Sequence, residues 1–472
     1  MIDRIVRLRR DAVPALRVSR ELASHDRWDR ATLEAHTRAR LLAIVRHAAQ
    51  ASPYHREAFA GIALDDDLDV RALPTLDKAT MLEHWDAIVT DPRLRLADVE
   101  RALDASSGDE LYLGDYRTMA SGGTTGRRGV FVYGTEDWHE VLGGVLRWTG
   151  GYMGMAPRLP RRRKLATVVA GSPQHMTARM TRSVDVGMHR FLRLDARQPM
   201  DELVPALNAF APEGLSGYAS VVAMLADEQR AGRLDIAPSV VSATSEVLTA
   251  GMRERIVAAW GSVPFDGYAS TETGMLASDC DRHTGMHVFE DLVHVEVVDD
   301  DGRAVPDGSP GSRILVTNLL NRTLPLIRFE LTDLVTVSPE PCPCGRPFKV
   351  LETVDGRTDD VLALPASGGG TVSIHPLVLR SPMAKVADVR QYKIVHDDDG
   401  LHVEAVLASG AGDPALEEVR ALLRAALDGA GAGATHVDVA AVGTIARHPG
   451  SGKAKVIESR VGKRAAARGA GR

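Results

Sequence analysis

Three glycines and two threonines stand together in the stretch SGGTTG, which begins at Ser121 and ends at Gly126. Glycines leave backbone amides unshielded and threonines add short hydroxyls, so a loop of this composition can cradle a phosphate group. It is not a Walker A loop, because the pattern G-x-x-x-x-G-K-S/T does not occur in the chain. The same residues also suit a tight hairpin turn, and the stretch alone does not decide between the two interpretations.

The cysteines form a second candidate for chemistry, because Cys280, Cys342 and Cys344 are the only three in 472 residues. With one imidazole they would make the closed Cys₃His set of a structural zinc site. We prefer His287 to His283 as the fourth ligand, since His287 begins an apparent strand and His283 sits in a D-R-H-T-G turn. The Cys-x-Cys spacing is tighter than usual, so three ordinary thiols remain the alternative. The expected role is to pin the loop at Cys280 to the end of the antiparallel strands.

Composition limits the classes of partner. The chain is 44% hydrophobic and 25% charged, with a net charge of -6, so nothing draws it generally to nucleic acid or to acidic membranes. The basic run RLPRRRK, residues 158–164, is interpreted as a solvated loop before a strand, with phosphate or CoA contact as the second interpretation. No stretch has the length of a membrane helix, and the charged first 20 residues do not resemble a signal peptide. We therefore expect a cytoplasmic protein.

The elements that must position these residues follow from periodicity. The pattern of residues 1 to about 100 predicts helices. Residues 115–340 alternate short apolar strands with amphipathic helices, and within this range residues 286–338 change to a pattern of antiparallel strands. This predicts an α/β multidomain fold, with a large N-terminal domain of mostly parallel sheets, helices and an antiparallel β-subdomain, plus a small mobile α+β C-terminal domain. The expected boundaries are 1–355, 356–460 and a basic disordered tail at 461–472.

Five segments in a fixed order resemble the adenylate-forming, acyl-CoA synthetase-like enzymes, in particular the phenylacetate–CoA ligase branch and related coenzyme synthetases. The resemblance covers residues 45 to about 460. The five segments are SGGTTG (121–126), GYASTETG (267–274), RFELTDLV (328–335), GRTDD (356–360) and HPGSGKAKV (448–456). Family loops often carry a lysine after the glycines, whereas here Arg127 and Arg128 follow, so an arginine could supply that cation.

The resemblance implies a role for each segment. Glu272 would hold Mg²⁺, Lys453 would be the catalytic cation with Lys455 as the second candidate, and Asp359 would be the hinge. Tyr218 would line the substrate pocket or cap the helix after it. The implied nucleotide-binding residues are Ser121, Gly122, Gly123, Thr124, Thr125, Gly126, Ser245, Glu246, Tyr268, Ala269, Ser270, Thr271, Asp333 and Arg357.

The activity implied is ATP-dependent activation of a carboxylic acid through an acyl-adenylate, followed by transfer to CoA. The resemblance favours an aryl or arylacetic acid and a homodimer, with ATP, Mg²⁺, CoA and a structural Zn²⁺ as cofactors. An acyl-adenylate-forming amide ligase or another pathway ligase that does not use CoA is the first alternative. The alternative from a different class is an inactive nucleotide-binding regulator on the same fold.

Overall fold

The computed structural model describes residues 2–121, 128–157, 160–172, 174–357, 362–374, 376–446 and 455–461. Short 3₁₀ or π-helical turns lie at Val70–Ala72, Leu8–Ala12 and Arg147–Tyr152. The α-helices are α1 Ile2–Arg7, α2 Val13–His25, α3 Arg30–Ala51, α4 Pro53–Ala58, α5 Lys78–Glu83, α6 Trp85–Ile88, α7 Leu96–Ala105, α8 Thr135–Leu146, α9 Met176–Ser183, α10 Met200–Phe210, α11 Ala219–Arg230, α12 Ala250–Trp260, α13 Pro376–Lys385 and α14 Asp413–Gly429.

The strands of the same residues are β1 Arg117–Ser121, β2 Gly129–Tyr133, β3 Lys164–Val169, β4 Arg190–Asp195, β5 Gly214–Tyr218, β6 Val240–Thr244, β7 Phe265–Ser270, β8 Gly274–Asp279, β9 Met286–Val288, β10 Val293–Val298, β11 Arg313–Asn318, β12 Phe329–Leu331, β13 Asp333–Val337, β14 Val350–Arg357, β15 Leu362–Pro365, β16 Thr371–Ile374, β17 Val389–Asp397, β18 Gly400–Leu407, β19 Val437–Ala441 and β20 Ile457–Ser459.

The first hundred residues are helical, as predicted, and local capping sets where the helices begin. The Asp29 side chain accepts a hydrogen bond from the Thr32 amide at 2.7 Å, which satisfies an amide in the first turn of α3. Ser52 ends α3 and caps α4, because the residue before Pro53 is pushed out of helical geometry. Within the described ranges, no helix has both the length and the hydrophobicity that crossing a bilayer requires.

A nine-stranded mixed sheet forms the centre of the molecule, in the order β13-β14-β9-β8-β7-β6-β5-β3-β4. Strands β4, β3, β5, β6 and β7 are parallel to one another, which confirms the predicted alternation of strands and helices. Antiparallel pairing begins where β7 turns back into β8. The parallel strands end at a common level, since Tyr218 pairs with Thr244 and Thr244 pairs with Gly267.

The predicted antiparallel strands after residue 286 are present, but they divide between two sheets. Strands β10, β11 and β12 form a separate three-stranded sheet, whereas β9 and β13 join the central sheet through β14. The register explains the division, because β14 pairs with β9 through Val350 and His287 and with β13 through Gly356 and Leu334. A strand beyond the predicted antiparallel segment therefore extends the central sheet.

Residues 362–457 have an apolar core of their own. The hairpin β17–β18 lies between β19 and β20 in a four-stranded sheet, and α13 and α14 pack against one another beside it. Helix α14 buries Ala415, Val419, Leu423 and Leu427, whose spacing of four places them on one face. The α+β unit predicted at the C-terminal end is therefore present.

Candidate active site

One cleft of about 1840 Å³ contains most of the predicted site residues that the structure describes. One wall comes from the central sheet and its loops, and the other comes from the C-terminal unit, including Arg380, Tyr392 and Lys393. The predicted site residues that line it are Ser121, Tyr218, Ser245, Glu246, Tyr268, Ala269, Ser270, Thr271, Glu272, Asp333 and Lys455. Gly122, Gly123, Thr124, Thr125, Gly126, Asp359 and Lys453 lie outside the described residues.

The topology of the sheet brings distant motifs together. Ser245 directly follows β6, Tyr218 ends β5, and Tyr268 stands one residue beyond the shared level of the parallel strands. Residues at the carboxyl ends of parallel strands lie along one edge, which is where open α/β sheets bind ligands. Ser121 lines the same cleft from the end of β1, where it pairs with Gly129.

The orientation of Tyr268 follows from its neighbour. A β-carbon on Gly267 would lie 2.6 Å from the Trp148 ring, so only glycine fits this position. Because successive side chains in a strand point to opposite faces, Tyr268 points away from Trp148. Tyr268 lines the cleft, where a flat aromatic ring can stack on a purine.

The turn that carries Glu272 is fixed on both sides. The Tyr133 hydroxyl donates to the Thr271 carbonyl at 2.9 Å, and the Asn318 side-chain amide donates to the Glu272 carbonyl at 2.9 Å. The Ser270 and Thr273 hydroxyls lie 3.0 Å apart across the same turn. These contacts hold the backbone at Glu272 and do not involve its carboxylate. Glu272 lines the cleft, and a carboxylate is the type of ligand that Mg²⁺ prefers.

The loop after β6 is strained and anchored. Ser245 has φ +66°, a left-handed conformation that favours glycine. The Glu246 carboxylate accepts a hydrogen bond from the Ser220 amide at 2.9 Å, which ties this loop to the first turn of α11. The Tyr218 hydroxyl accepts from the Ala170 amide at 3.0 Å. Both side chains therefore shape the cleft through contacts with the backbone, and their binding roles remain predictions.

Asp333 opens strand β13 at the cleft, where it is buried. Its backbone partner in the ladder is Arg357, so two of the predicted nucleotide-binding positions are adjacent. The side chain of Arg357 lies outside the described residues. A carboxylate in this position can accept hydrogen bonds from two ribose hydroxyls, as the resemblance implies.

Of the two arginines proposed to replace the family lysine, only Arg128 lies in the described part of the chain, and it does not line the cleft. The guanidinium of Arg128 forms an ion pair with Asp104 at 2.6 Å and lies 3.9 Å from Glu100, both on α7. Arg128 is therefore held on the outside of the β1–β2 hairpin, and Arg127 lies outside the described residues. A cation that the motifs did not indicate, Lys393, lines the cleft beside Lys455 and pairs with Glu458 at 2.7 Å.

Asp266 also lines the cleft, although no motif indicated it. It lies on the same strand face as Tyr268, two residues earlier, and part of its surface opens into the cleft. Desolvation, followed by the negative charge of Asp279, raises the pKa of Asp266 from the usual 3.8 to about 7. The sequence offered only an aspartate inside an apparent strand, F-D-G-Y, which shows neither its burial nor its charged neighbour.

Asp266→Asn is expected to make the protein more stable at pH 8 than the unchanged chain, with little difference at pH 4. A carboxyl whose pKa is raised in the folded state costs stability as pH rises between 3.8 and about 7, and that cost is complete above this window. The gain should be about 4 kcal/mol at most, since each unit of the raised pKa corresponds to about 1.4 kcal/mol. Thermal unfolding at both pH values measures it, with exposed Asp398→Asn as the control. An equal effect at both pH values would contradict the assignment.

The four predicted zinc ligands meet at one point. The ligand atoms of Cys280, His287, Cys342 and Cys344 all lie within 4.8 Å of one another. The Sγ atoms of Cys280 and Cys342 are 3.8 Å apart, and Cys344 Sγ is 3.4 Å from His287 Nε2. Zinc bonds of ~2.3 Å to sulfur and ~2.0 Å to nitrogen give tetrahedral edges of about 3.8 and 3.5 Å. The spacing fits a tetrahedral metal.

The choice between the two histidines is settled by their contacts. Burial, followed by the positive charges of Arg346 and Arg147, lowers the pKa of His287 to about 4, which keeps the imidazole neutral as a metal ligand must be. His283 instead lies 2.7 Å from Asp279 through Nδ1 and has φ +51° in the turn after Cys280. His287 is therefore the histidine in the cluster.

Comparison with known proteins bears on this arrangement. No family model matches the chain. It is 27% identical over 392 residues to a phenylacetate-coenzyme A ligase of Aromatoleum evansii, covering 80% of this chain and 81% of that protein. It is 25% identical over 411 residues to the ligase of the same name from Pseudomonas putida, covering 84% and 85%. The resemblance to phenylacetate–CoA ligases is confirmed. The chain is also 28% identical over 226 residues to a phenylacetate-coenzyme A ligase of Thermus thermophilus, and this match covers 46% of this chain and 49% of that protein.

Solved structures show the same fold. A 2-hydroxyisobutyryl-CoA ligase in the postadenylation state, in complex with 2-HIB-AMP, has TM-score 0.72 at 21% identity, covering 92% of this chain and 91% of that chain. The same ligase in the thioesterification state, with 2-HIB-AMP and CoA, has TM-score 0.57. The fold is that of the acyl-CoA ligases in the adenylate-forming superfamily.

Proposed function

We propose that this protein is an AMP-forming ligase that activates a small carboxylic acid with ATP and passes the acyl group to CoA. The observation that carries the proposal is that Tyr268, Glu272 and Asp333, from three separate motifs, all line one cleft at the sheet edge. The similarity to phenylacetate-coenzyme A ligases over four fifths of the chain supports the same conclusion.

In the first step a carboxylate oxygen of the acid attacks the α-phosphorus of ATP, and pyrophosphate leaves. In the second step the CoA sulfur attacks the acyl carbonyl carbon, the thiol proton is lost and AMP leaves. The first step joins two anions, so alignment and charge neutralisation must supply most of the catalysis. Tyr268 would stack on adenine, Asp333 would hold the ribose, Glu272 would hold Mg²⁺ beside the phosphates and Ser121 would contact a phosphate.

We propose that residues 356–460 form a lid that turns about Asp359 between the two steps and carries Lys453. The separate apolar core of residues 362–457 supports such a unit. So do the two TM-scores, 0.72 and 0.57, against two states of one ligase. Enzymes commonly use the motion of a lid to assemble the site first for one step and then for the next.

A structural zinc ion at Cys280, His287, Cys342 and Cys344 is part of the proposal. The ion would bind at the end of β8, at β9 and at the loop between β13 and β14, and so hold three strands of the central sheet together. The ligand set suits a structural role, because a closed set of four protein ligands leaves no position for substrate.

The acid is proposed to be aryl or arylacetic, by analogy with the curated relatives. The buried side chains of Met176 and Met180 face the cleft and can contact an aromatic ring through sulfur. A homodimer remains a prediction, and sedimentation velocity on the purified protein measures it.

A screen for pyrophosphate release over a panel of carboxylic acids, with and without CoA, tests the proposed function. At least one aryl acid should release pyrophosphate, and hydroxylamine should trap the activated acyl group as a hydroxamate. Thioester formation with CoA, compared with a panel of amines, distinguishes the CoA ligase from an amide ligase. ATP binding without any trapped hydroxamate would instead identify a nucleotide-binding regulator.

A further inference from the structure

Arg380 on α13 lies flat against the end of β14. Its Nη1 donates a hydrogen bond to the Asp355 carbonyl at 3.1 Å. A β-carbon built on Gly356 would stand 3.2 Å from each of three guanidinium atoms, Cζ, Nη1 and Nη2. Equal distances to three atoms of one plane mean that the guanidinium covers the bare Cα of Gly356.

This contact joins the two cores of the molecule. Leu379 and Met383, which flank Arg380 on α13, are buried in the apolar cluster of residues 362–457. Val354, on the other side, packs against the core of the central sheet. Asp355 and Gly356 stand at the end of β14, just before the proposed hinge at Asp359, so Arg380 spans the point about which a lid would turn.

The contact also reaches the nucleotide site. Gly356 pairs with Leu334 and Arg357 pairs with Asp333, so the backbone under the guanidinium belongs to the ladder that holds the proposed ribose ligand. Arg380, Asp355, Gly356 and Asp333 all line the cleft. Because Arg380 belongs to the C-terminal unit and β14 pairs with the strand of Asp333, any movement of Arg380 along β14 would move the C-terminal unit relative to the nucleotide.

We propose that Arg380 is a positioning residue that holds the C-terminal unit against β14 for adenylate formation and releases it for transfer to the acceptor. The inference rests on the proposed function, and it adds a residue to it. Arg380 touches neither reacting group; it acts by fixing where Lys453 and Lys455 stand relative to the nucleotide.

The residue types on both sides suit this role. A guanidinium is planar and can donate to a carbonyl while lying on a backbone, whereas the ammonium of lysine is a point charge that cannot cover the same surface. Gly356 has φ +124°, which side chains rarely adopt, and its missing β-carbon is what allows the close approach.

Three variants and one control test the proposal: Arg380→Ala, Arg380→Lys, Gly356→Ala and Arg424→Ala. Arg424 is an exposed arginine on α14 of the same unit, so its loss removes the same charge without the contact. Arg380→Ala should slow acid-dependent exchange of pyrophosphate into ATP about tenfold through kcat, with KM for ATP within about twofold, because one charge-assisted hydrogen bond is lost. Thioester formation from supplied acyl-adenylate should not slow.

The conservative variants separate positioning from general damage. Arg380→Lys should recover part of the exchange rate, and Gly356→Ala should reproduce the loss by pushing the guanidinium away. Equal slowing of both half-reactions by Arg380→Ala, or no slowing of either, would overturn the proposal. If Arg380→Ala has a lowered Tm, the ratio of the two half-reactions in Arg380→Lys decides instead.

A readout without turnover keeps this inference distinct from the proposed function. Small-angle X-ray scattering in the presence of ATP should give a larger radius of gyration for Arg380→Ala than for Arg424→Ala, because the C-terminal unit is no longer held. Absence of exchange with any acid in the unchanged protein would reject the proposed function, and the scattering comparison would still test Arg380. Identical radii for both variants would reject the contact as a restraint.

Discussion

Lys453→Ala should slow acyl-adenylate formation by about 10²–10³-fold, the loss typical of removing one electrostatic donor aimed at developing charge. The attacking carboxylate and the α-phosphate are both anionic, so a cation between them is needed only while they react. ATP should still bind, because the proposed nucleotide-binding residues other than Arg357 belong to the large N-terminal unit. Single-turnover formation of adenylate and equilibrium binding of ATP measure the two quantities separately.

Lys455→Ala is the matched comparison. Lys455 lines the cleft two residues away, beside the Lys393–Glu458 pair, so it offers the same charge at a neighbouring position. We expect a smaller loss from Lys455→Ala than from Lys453→Ala. A parental rate of adenylation in Lys453→Ala together with a large loss in Lys455→Ala would transfer the role to Lys455. Thioester formation from supplied adenylate should be nearly unchanged in both.

The unchanged protein should hold about one zinc per chain, and Cys344→Ser should abolish that retention. Hydroxyl oxygen is a poor zinc ligand at neutral pH, and three remaining ligands do not close the tetrahedral set. Because metal binding and folding share one free energy, the variant should lose on the order of 3 kcal/mol of stability. Elemental analysis and thermal unfolding measure the two effects, and X-ray absorption should give Zn–S distances near ~2.3 Å.

His283→Ala is the control for the metal site, because His283 follows Cys280 closely in sequence yet is engaged with Asp279. It should retain the zinc and most of the stability. Molecules of Cys344→Ser that remain folded should keep their intrinsic adenylation rate, since Cys280 follows β8 at the end opposite to the turn that carries Glu272. Purified protein that is free of zinc, fully active and of normal stability would refute the site.

The sequence predicted those features that depend on the pattern of neighbouring residues along the chain. Helix α14 carries its apolar positions at a spacing of four, and the parallel strands are short apolar runs between amphipathic helices. The preference for His287 over His283 also came from local pattern, because a strand residue has a fixed direction and a turn residue has not. The resemblance also predicted that Tyr268, Glu272 and Asp333 belong to one site, and all three line the same cleft.

Features that depend on pairs of distant residues could not be predicted in this way. Arg128 looked available for phosphate, but Asp104 on α7 occupies it. Asp266 gained its raised pKa from burial and from Asp279 across the hairpin, neither of which is visible in F-D-G-Y. The sequence does not distinguish Arg380 from the other arginines, because its contact with Gly356 is seen only in the folded structure. Each case requires knowing which partner a side chain meets, and tertiary packing alone determines that.

Cys280 and Cys342 touch although 62 residues separate them along the chain. The segment between them contains all of β10, β11 and β12 and the strand that begins with Asp333. Closing a loop of this length costs chain entropy on the order of 4 kcal/mol, and a metal that bridges the ends would offset it in one step. During synthesis the parallel strands leave the ribosome long before Cys342 does. Completion of the ribose-binding side would therefore come late in biogenesis and depend on the zinc available to the nascent chain.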